Sequence, residues 1–276
     1  MCPVCPRHCR LAPGALGACR ARRNVGGTVV CESYGRVTAL ALDPVEKKPL
    51  ARFMPGSLLL SVGSYGCDMS CLFCQNHEIA QAGEDDVPWR EVSPEQLVGL
   101  ALDARARDSR VAGIAYTYNE PLVGWEYVRD CARLAHEAGL VNALVSNGCV
   151  DPGVISQLCG LIDAANIDLK AFDADAYRRL GGDFGAVCAT IERLAADASC
   201  HLEVATLIVP GLNDDEAMME AEARWLASLD ADITLHVTRF FPRWHMADAA
   251  PTPVGDVYRL ADVARRHLAH VYAGNC

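Results

Sequence analysis

The sequence predicts an α/β fold built on a parallel sheet. Short apolar segments with strand character alternate with segments of helical character along most of the chain. This alternation is typical of parallel strands joined by right-handed helical crossovers. A length of 276 residues with 51% hydrophobic content is enough for one large core. Six strands are predicted, which is too few for a closed eight-stranded barrel, and periodicity alone does not separate an open barrel from a doubly wound sheet.

The predicted elements follow an irregular lead-in at residues 49–57. Ser93 and Gln96 form a capping-box pattern with Pro94 at the first helical position, and Asp151 precedes another helix-starting proline. The predicted strands cover residues 58–62, 111–116, 140–145, 161–168, 201–209 and 233–240. The predicted helices cover residues 93–108, 120–138, 173–180, 184–196, 214–229 and 253–267, with one more beginning at Asp151.

Residues 1–50 form the first of two predicted units, and residues 51–276 form the second. Four cysteines lie among prolines and glycines in the first unit, which favours a small knuckle over a helix or strand: they are Cys2, Cys5, Cys9 and Cys19. Four thiols at this spacing suit a structural zinc or a second iron–sulfur cluster, and a thiol-rich terminus without metal is the third alternative. A β-hairpin with its turn at Tyr34 and Gly35 is predicted over residues 28–42.

Composition excludes several classes of function. The formal net charge is −10, so the summed field opposes docking on a nucleic-acid backbone, and no nucleic-acid partner is expected. No segment approaches the roughly 20 apolar residues of a membrane span, and the amino terminus lacks the apolar core of a signal peptide. A cytoplasmic protein without a membrane partner is therefore expected. Fourteen cysteines in such a chain favour metal or redox chemistry over disulfides.

Three further cysteines form the motif that points most directly to function. Cys67, Cys71 and Cys74 have CxxxCxxC spacing and directly follow the first predicted strand. Three thiolates can ligate three irons of a four-iron cluster and leave the fourth iron open to another ligand. Zinc motifs, the alternative, usually pair their cysteines as CxxC and close the site with a fourth ligand.

This motif resembles that of the radical S-adenosylmethionine (SAM) superfamily. The resemblance implies that Cys67, Cys71 and Cys74 hold a [4Fe-4S] cluster, and that Phe73 lies near the adenine of SAM. It also implies reductive cleavage of SAM to a 5'-deoxyadenosyl radical. The fold implied is the open, partial (β/α)6 barrel of these enzymes, preceded by the small cysteine-rich knuckle.

The carboxyl ends of the strands are where ligands collect in such folds. Glu120 and Pro121 match the end of the family's Gly-Gly-Glu-Pro turn, which implies that Glu120 holds the methionine amino group. Ser146-Asn147-Gly148 and Asp168-Leu169-Lys170 resemble turns of the glycyl-radical activating enzymes, in which a monovalent cation binds nearby. Val145 replaces one aspartate of that cation site, so a cation is not expected here. The implied SAM-binding residues are Phe73, Tyr118, Asn119, Glu120, Ser146, Asn147, Asp168, Lys170 and Val209.

Catalytic residues are expected at the same strand ends. Lys170 is expected to bind the SAM carboxylate or ribose. His236 and Arg239, near the end of the sixth predicted strand, are expected to contact substrate or cofactor.

The motifs together resemble the radical enzyme of the AmmeMemoRadiSam system, a family related to pyruvate formate-lyase activating enzymes. This resemblance implies hydrogen abstraction from a small-molecule or peptide substrate. Installation of a glycyl radical on a partner enzyme is the alternative, and a non-catalytic zinc or electron-transfer module is a third. A flavodoxin or ferredoxin donor is implied because the cluster must work at the low end of its potential range. AMMECR1-like and Memo-like proteins are further implied partners.

Overall fold

Eight strands form the central sheet of the computed structural model, which describes residues 1–276. Seven of these strands run parallel, and the eighth is antiparallel at one edge. The strands of the chain are β1 (Arg22–Val25), β2 (Thr28–Cys31), β3 (Arg36–Val37), β4 (Ala39–Pro44), β5 (Leu58–Gly63), β6 (Arg90–Glu91), β7 (Val111–Tyr116), β8 (Val141–Ser146), β9 (Ala164–Asp168), β10 (His201–Ile208), β11 (Thr234–Arg239) and β12 (His270–Gly274). Their order in the central sheet is β12-β11-β10-β9-β8-β7-β5-β4.

Helices connect the parallel strands, as the alternating pattern predicts. They are α1 (His77–Ala80), α2 (Pro94–Arg107), α3 (Trp125–Glu137), α4 (Pro152–Ser156), α5 (Ala174–Arg179), α6 (Phe184–Ala195), α7 (Glu216–Leu229) and α8 (Val254–Ala264). The capping box at α2 is confirmed, because the Ser93 hydroxyl accepts from the Gln96 amide and the Gln96 side chain accepts from the Ser93 amide. None of the helices combines the length and the apolar character that a membrane crossing requires.

The predicted α/β fold with a parallel sheet is confirmed, and all six predicted strands form. The edge strands β4 and β12 are not paired with each other, so the sheet is open, as in a partial barrel. Strand β12 was not predicted, since its five residues follow α8 without a further helix after them. It extends the sheet by pairing in parallel with β11.

The predicted hairpin over residues 28–42 is wrong. Strand β2 instead forms an antiparallel hairpin with the preceding strand, β1, through a turn at Gly26 and Gly27. Both glycines have positive φ (59° and 92°), the conformation that tight two-residue hairpin turns require. Strand β3 pairs with β6, and β4 pairs with β5 in the central sheet. The division of the chain near residue 50 stays a prediction, although β4 already belongs to the sheet.

The lead-in before β5 closes the amino ends of the parallel strands. Val45 and Leu50 are fully buried in a small apolar cluster with residues of four strands, namely Leu59, Ala115, Ala143 and Ala164. The Asn166 side chain donates to the carbonyl of Pro49 at 2.8 Å. The lead-in is therefore held inside the curve of the sheet, which leaves the carboxyl ends as the open side.

A buried carboxylate, Glu203 on β10, also holds the lead-in. It accepts from the amides of Ala51 (3.0 Å) and Arg52 (2.8 Å), and from the rings of His201 (2.9 Å) and His236 (2.6 Å). Burial opposes its ionisation, but these hydrogen bonds outweigh burial and lower the pKa of Glu203 to about 2. Glu203 is thus an ionised anchor for the closed end of the sheet.

Glu203→Ala is expected to lower the free energy of unfolding by about 3–5 kcal/mol, because it leaves buried donors without their partner. The folded pKa lies below the unfolded value of about 4.3. The contribution of Glu203 is therefore present above pH 4.3 and is lost as the pH falls towards 2. Urea unfolding of the wild type and variant as a function of pH tests this. The control Glu192→Ala changes an exposed helical glutamate, and equal stability of the two variants would contradict the anchoring role.

Candidate functional site

The cysteine loop begins where β5 ends, at the open side of the sheet. Gly66 has φ +90°, and a Cβ at this position would overlap the carbonyl oxygen of Cys19. Asn119 holds the same loop from the end of β7: its side chain accepts from the Ser64 amide at 2.9 Å and donates to the Gly66 carbonyl at 3.0 Å. The loop is thus fixed on one side by the amino-terminal segment and on the other by the turn after β7.

A cleft of about 300 Å³ opens beside this loop, at the lower end of the range in which small molecules bind. Most of the predicted site residues line it. They are Cys67, Cys71, Phe73, Cys74, Tyr118, Asn119, Glu120, Ser146, Asn147, Asp168 and Lys170. The structure therefore brings together side chains from the cysteine loop and from the ends of β7, β8 and β9.

Glu120 is a buried carboxylate in the wall of the cleft. It accepts from the Leu122 amide (2.9 Å), the Ser146 hydroxyl (2.7 Å) and the Asn147 amide (2.8 Å). A carboxylate has about four acceptor positions, so one position on Oε2 remains. Burial, followed by the charge of Asp68, raises the pKa of Glu120 to about 8. A cationic group in the cleft would therefore stabilise the charged form of Glu120.

Lys170 carries the opposite charge and lines the same cleft. Its ammonium lies 2.6 Å from Asp168 Oδ2. Burial opposes the charged form, but Asp168 and the Cys71 thiol outweigh burial and raise the pKa of Lys170. Burial raises the pKa values of Cys71 and Cys74, and the Lys170 ammonium offsets part of that rise. Lys170 can therefore offset negative charge both on the thiols and on an anionic ligand.

Tyr118 has a backbone conformation that is usual for glycine. Its φ is +73°, a strained value for a tyrosine that costs about 1–3 kcal/mol. The Tyr118 hydroxyl donates to Asp43 at 2.6 Å, and the ammonium of the buried Lys48 lies 2.7 Å from the same carboxylate and 4.6 Å from the tyrosine ring. These contacts hold the strained turn in place.

Three of the residues predicted to bind SAM or to act in catalysis do not line the cleft. Val209 is buried in the turn after β10, and Leu207 faces the cleft instead. His236 lies deeper in the sheet and binds Glu203, so its position gives no support to a catalytic role. Arg239 donates to the Thr252 carbonyl and lines a neighbouring cavity of about 210 Å³, which shares Phe73, Gln75, Leu207 and Asn275 with the cleft.

Several residues that line the cleft were not predicted. Pro49 comes from the lead-in, and Thr238 and Ala205 come from the inward faces of β11 and β10. Only the alternation of side chains along those strands could have indicated the last two. Asn76 donates to the Tyr118 carbonyl at 2.7 Å and so joins the cysteine loop to the turn after β7.

The four amino-terminal cysteines lie outside the cleft. Cys2, Cys5 and Cys19 are buried, whereas Cys9 is partly exposed. No three Cys, His, Asp or Glu side chains of the chain converge as closely as the ligands of a single metal ion. Neither the thiols of the cysteine loop nor the amino-terminal thiols lie as close together as the ligands of a single metal ion. Metal binding by the amino-terminal thiols stays a prediction.

The fold agrees with comparisons with known proteins. A sequence profile of the radical SAM superfamily matches residues 61–223, which include the cysteine loop. The chain belongs to the radical SAM superfamily. Membership implies a [4Fe-4S] cluster and SAM as the cofactors of this enzyme.

Individual proteins are similar to this radical SAM chain over different lengths. An uncharacterized protein of Methanocaldococcus jannaschii is 36% identical over 283 residues, which cover 99% of this chain and 80% of that protein. The pyruvate formate-lyase 1-activating enzyme of Escherichia coli is 27% identical over 155 residues, which cover 55% of this chain and 61% of that enzyme. A radical SAM methyltransferase from Sphaerobacter thermophilus shares the fold, with a TM-score of 0.57 at 16% identity over 79% of this chain and 66% of that chain.

Gly66→Ala is expected to displace the cysteine loop, because the added Cβ overlaps the Cys19 carbonyl. Gly56→Ala is the matched control: Gly56 also has a positive φ (+82°), but its Cβ would meet no atom within 4 Å. We expect a loss of about 1 kcal/mol in the control from backbone strain alone. Gly66→Ala should lose more stability and also iron after anaerobic reconstitution. Equal iron content in the two variants would contradict the constraint at Gly66.

Proposed function

We propose that this enzyme cleaves SAM reductively at a [4Fe-4S] cluster held by Cys67, Cys71 and Cys74. When bound, the cluster and SAM supply a 5'-deoxyadenosyl radical that abstracts hydrogen from a small-molecule or peptide substrate. The observation that carries the proposal is that the three thiols share one cleft with an acidic and a basic side chain, Glu120 and Lys170. Both charged ends of an amino acid could be bound by such a pair.

The residues of the cleft have complementary tasks in this proposal. The remaining acceptor position of Glu120 suits a cationic amino group, and the Lys170 ammonium suits a carboxylate. Phe73 supplies an apolar surface beside the thiols for an adenine. The protein thus contributes position and exclusion of water, while the cofactors contribute the radical chemistry.

Similarity to activating enzymes supports the alternative function, installation of a glycyl radical on a partner enzyme. The two functions differ in which molecule carries the unpaired electron after hydrogen abstraction: a small-molecule or peptide substrate, or a glycine of the partner enzyme. Incubating the reduced enzyme and SAM with each glycyl-radical enzyme encoded in the same genome, followed by EPR, separates them. A glycyl doublet on one of these proteins would establish the alternative. Absence of the doublet from all of them, with SAM cleavage intact, leaves the small-molecule or peptide substrate.

The proposal also includes a family type, protein partners and an electron donor. The amino-terminal cysteine pattern, together with the turns at Glu120 and Asp168, favours the AmmeMemoRadiSam type, with AMMECR1-like and Memo-like proteins as partners. A flavodoxin or ferredoxin would supply the electron. We place the enzyme in the cytoplasm, since many free thiols suit a reducing compartment. The amino-terminal thiols would hold zinc or a second iron–sulfur cluster.

Cys71→Ala is expected to abolish SAM cleavage, because a four-iron cluster would lose one of its three protein ligands. Cys159→Ala, which changes a cysteine outside the cleft, should leave cleavage unchanged. Cys5→Ala should retain some cleavage if the amino-terminal site is structural. The measurement is 5'-deoxyadenosine formed anaerobically with dithionite, and cleavage by Cys71→Ala at the wild-type rate would refute the proposed cluster site.

Lys170→Gln is expected to weaken SAM binding by at least about tenfold, because the cleft loses the cation that faces the SAM carboxylate. Lys47→Gln is the control, since the Lys47 side chain is 68% exposed and forms only a surface ion pair. Isothermal titration of the anaerobically reconstituted enzyme with SAM gives the affinities. An unchanged dissociation constant for Lys170→Gln would remove Lys170 from the SAM site.

A further inference from the structure

A smaller cavity, of about 210 Å³, adjoins the cleft beside the cysteine loop. Two arginines, Arg239 and Arg243, lie in its wall, and none of its other lining residues is charged. The chain as a whole has a formal net charge of −10, so a cavity with two cations and no carboxylate departs from the overall charge. A cavity of this kind attracts an anionic group.

Arg239 is held in position for contact with an anion. Its Nε donates to the Thr252 carbonyl at 2.7 Å, and its guanidinium lies 4.8 Å from the centre of the Phe241 ring. Thr252 is itself fully buried, and its hydroxyl donates to the Ile208 carbonyl at 2.6 Å. The two Nη groups of Arg239 have no hydrogen-bond partner in the chain. They offer the N–H donors of a guanidinium fork, which binds a carboxylate or a phosphate.

Contacts with the cysteine loop hold the segment that carries Arg243. The His245 amide donates to the Leu72 carbonyl at 3.1 Å. The Trp244 ring stacks on the His77 ring, with the ring centroids 5.5 Å apart. Arg243 directly precedes Trp244, and its side chain is exposed at the cavity. The second arginine is therefore tied to the same loop that carries the three thiols.

Apolar side chains form much of the remaining wall and connect the cavity to the cleft. Phe73 and Phe240 meet edge to face, with ring centroids 6.4 Å apart. Phe73 and Leu207 line both the cavity and the cleft. Ion pairs are stronger beside apolar walls, because water is excluded there. The cavity is smaller than the roughly 300 Å³ at which sites for whole small molecules begin, so it suits one end of a molecule that extends into the cleft.

Another cavity of the protein has an arginine but a different charge. It has a volume of about 250 Å³ and lies at the amino ends of β10 and β11. Arg52 lines it and donates to the Asp232 carbonyl at 3.0 Å. Asp230 and Asp232 line the same cavity, so an anion there would meet acidic side chains as well.

We infer that Arg239 and Arg243 bind an anionic group, a carboxylate or a phosphate, of the substrate from which hydrogen is abstracted. This inference rests on the proposed function and adds a charge class to a substrate that the reaction type leaves open. The anionic end of the substrate occupies the smaller cavity, and the carbon that loses hydrogen lies in the cleft. Lys170 remains available to SAM, because it lines the cleft and not the smaller cavity.

Equilibrium dialysis of the full, anaerobically reconstituted chain saturated with SAM tests this site. The probes are radiolabelled inorganic phosphate and radiolabelled succinate, each at constant ionic strength, so that phosphate and carboxylate are distinguished. Arg239→Gln and Arg243→Gln each remove one cation. Arg52→Gln is the matched control, because Arg52 also lines a cavity and donates to a main-chain carbonyl. The affinity for SAM and the formation of 5'-deoxyadenosine are measured on the same samples.

We expect at least one probe to bind to the wild type. Arg239→Gln and Arg243→Gln should each lower its affinity by at least about tenfold, since each removes a charge-assisted contact. Arg52→Gln should have no effect, and the affinity for SAM should stay the same in all three variants. Arg243 is exposed, so its variant keeps the test valid even if Arg239→Gln is unstable.

Binding of neither probe to the wild type would overturn the inference, as would equal probe affinity of Arg243→Gln and Arg52→Gln. Loss of SAM affinity in Arg239→Gln and Arg243→Gln would overturn it as well, because the arginines would then belong to the SAM site. Failure of the wild type to form 5'-deoxyadenosine would overturn the proposed function instead. Binding of phosphate or succinate is read independently of that reaction, so the two failures are distinguishable.

Discussion

The hydrogen bonds between Asn119 and the cysteine loop are the contacts on which the site depends. A loop that carries three metal ligands has no regular structure of its own, so its shape must come from neighbours. Asn119 supplies it through Ser64 and Gly66, and the Cys19 carbonyl closes the opposite side. Because Glu120 directly follows Asn119, the same turn fixes the loop and points an acidic side chain into the cleft.

Burial strengthens the electrostatic interactions between the acidic and basic side chains around the cleft. Asp68 is part of the loop, and Glu120 and Lys170 line the cleft beside it. Burial raises the pKa values of both Glu120 and the loop thiols. Without bound cations these groups favour their protonated forms. A positively charged cluster and a cationic amino group would reverse that preference, so cofactor binding and deprotonation are coupled in this site.

The closed end of the sheet explains why the cleft opens on one side only. Glu203, Asn166 and the apolar cluster around Leu50 hold the lead-in against the amino ends of the strands. Pro49, the first residue of that lead-in, lines the cleft. The floor of the site is therefore built by a segment that precedes the cysteine loop, and its stability depends on a histidine, His236, that was expected to act in catalysis.

Sequence patterns were sufficient to predict the elements that have a local sequence signal. The six internal strands and the capped start of α2 follow from apolar runs and cap residues, and the cysteine spacing with Glu120 and Lys170 indicated the side chains that meet in the cleft. Pairing between segments that are distant in the sequence could not be predicted. Strands β4 and β12 join the edges of the sheet through tertiary contacts, for which there is no local sequence signal. The partner of His236 is likewise set by the register of two adjacent strands, which pairs His236 with Ala205, two residues from Glu203.

Electron–nuclear double resonance on the reduced enzyme, with SAM labelled with ¹⁷O in the carboxylate and ¹⁵N in the amino group, tests the central claim most directly. The account predicts hyperfine coupling of both labels to the cluster held by Cys67, Cys71 and Cys74, since Glu120 and Lys170 would hold the two groups beside the iron that has no protein ligand. A reduced cluster whose signal shows no coupling to either label would contradict it.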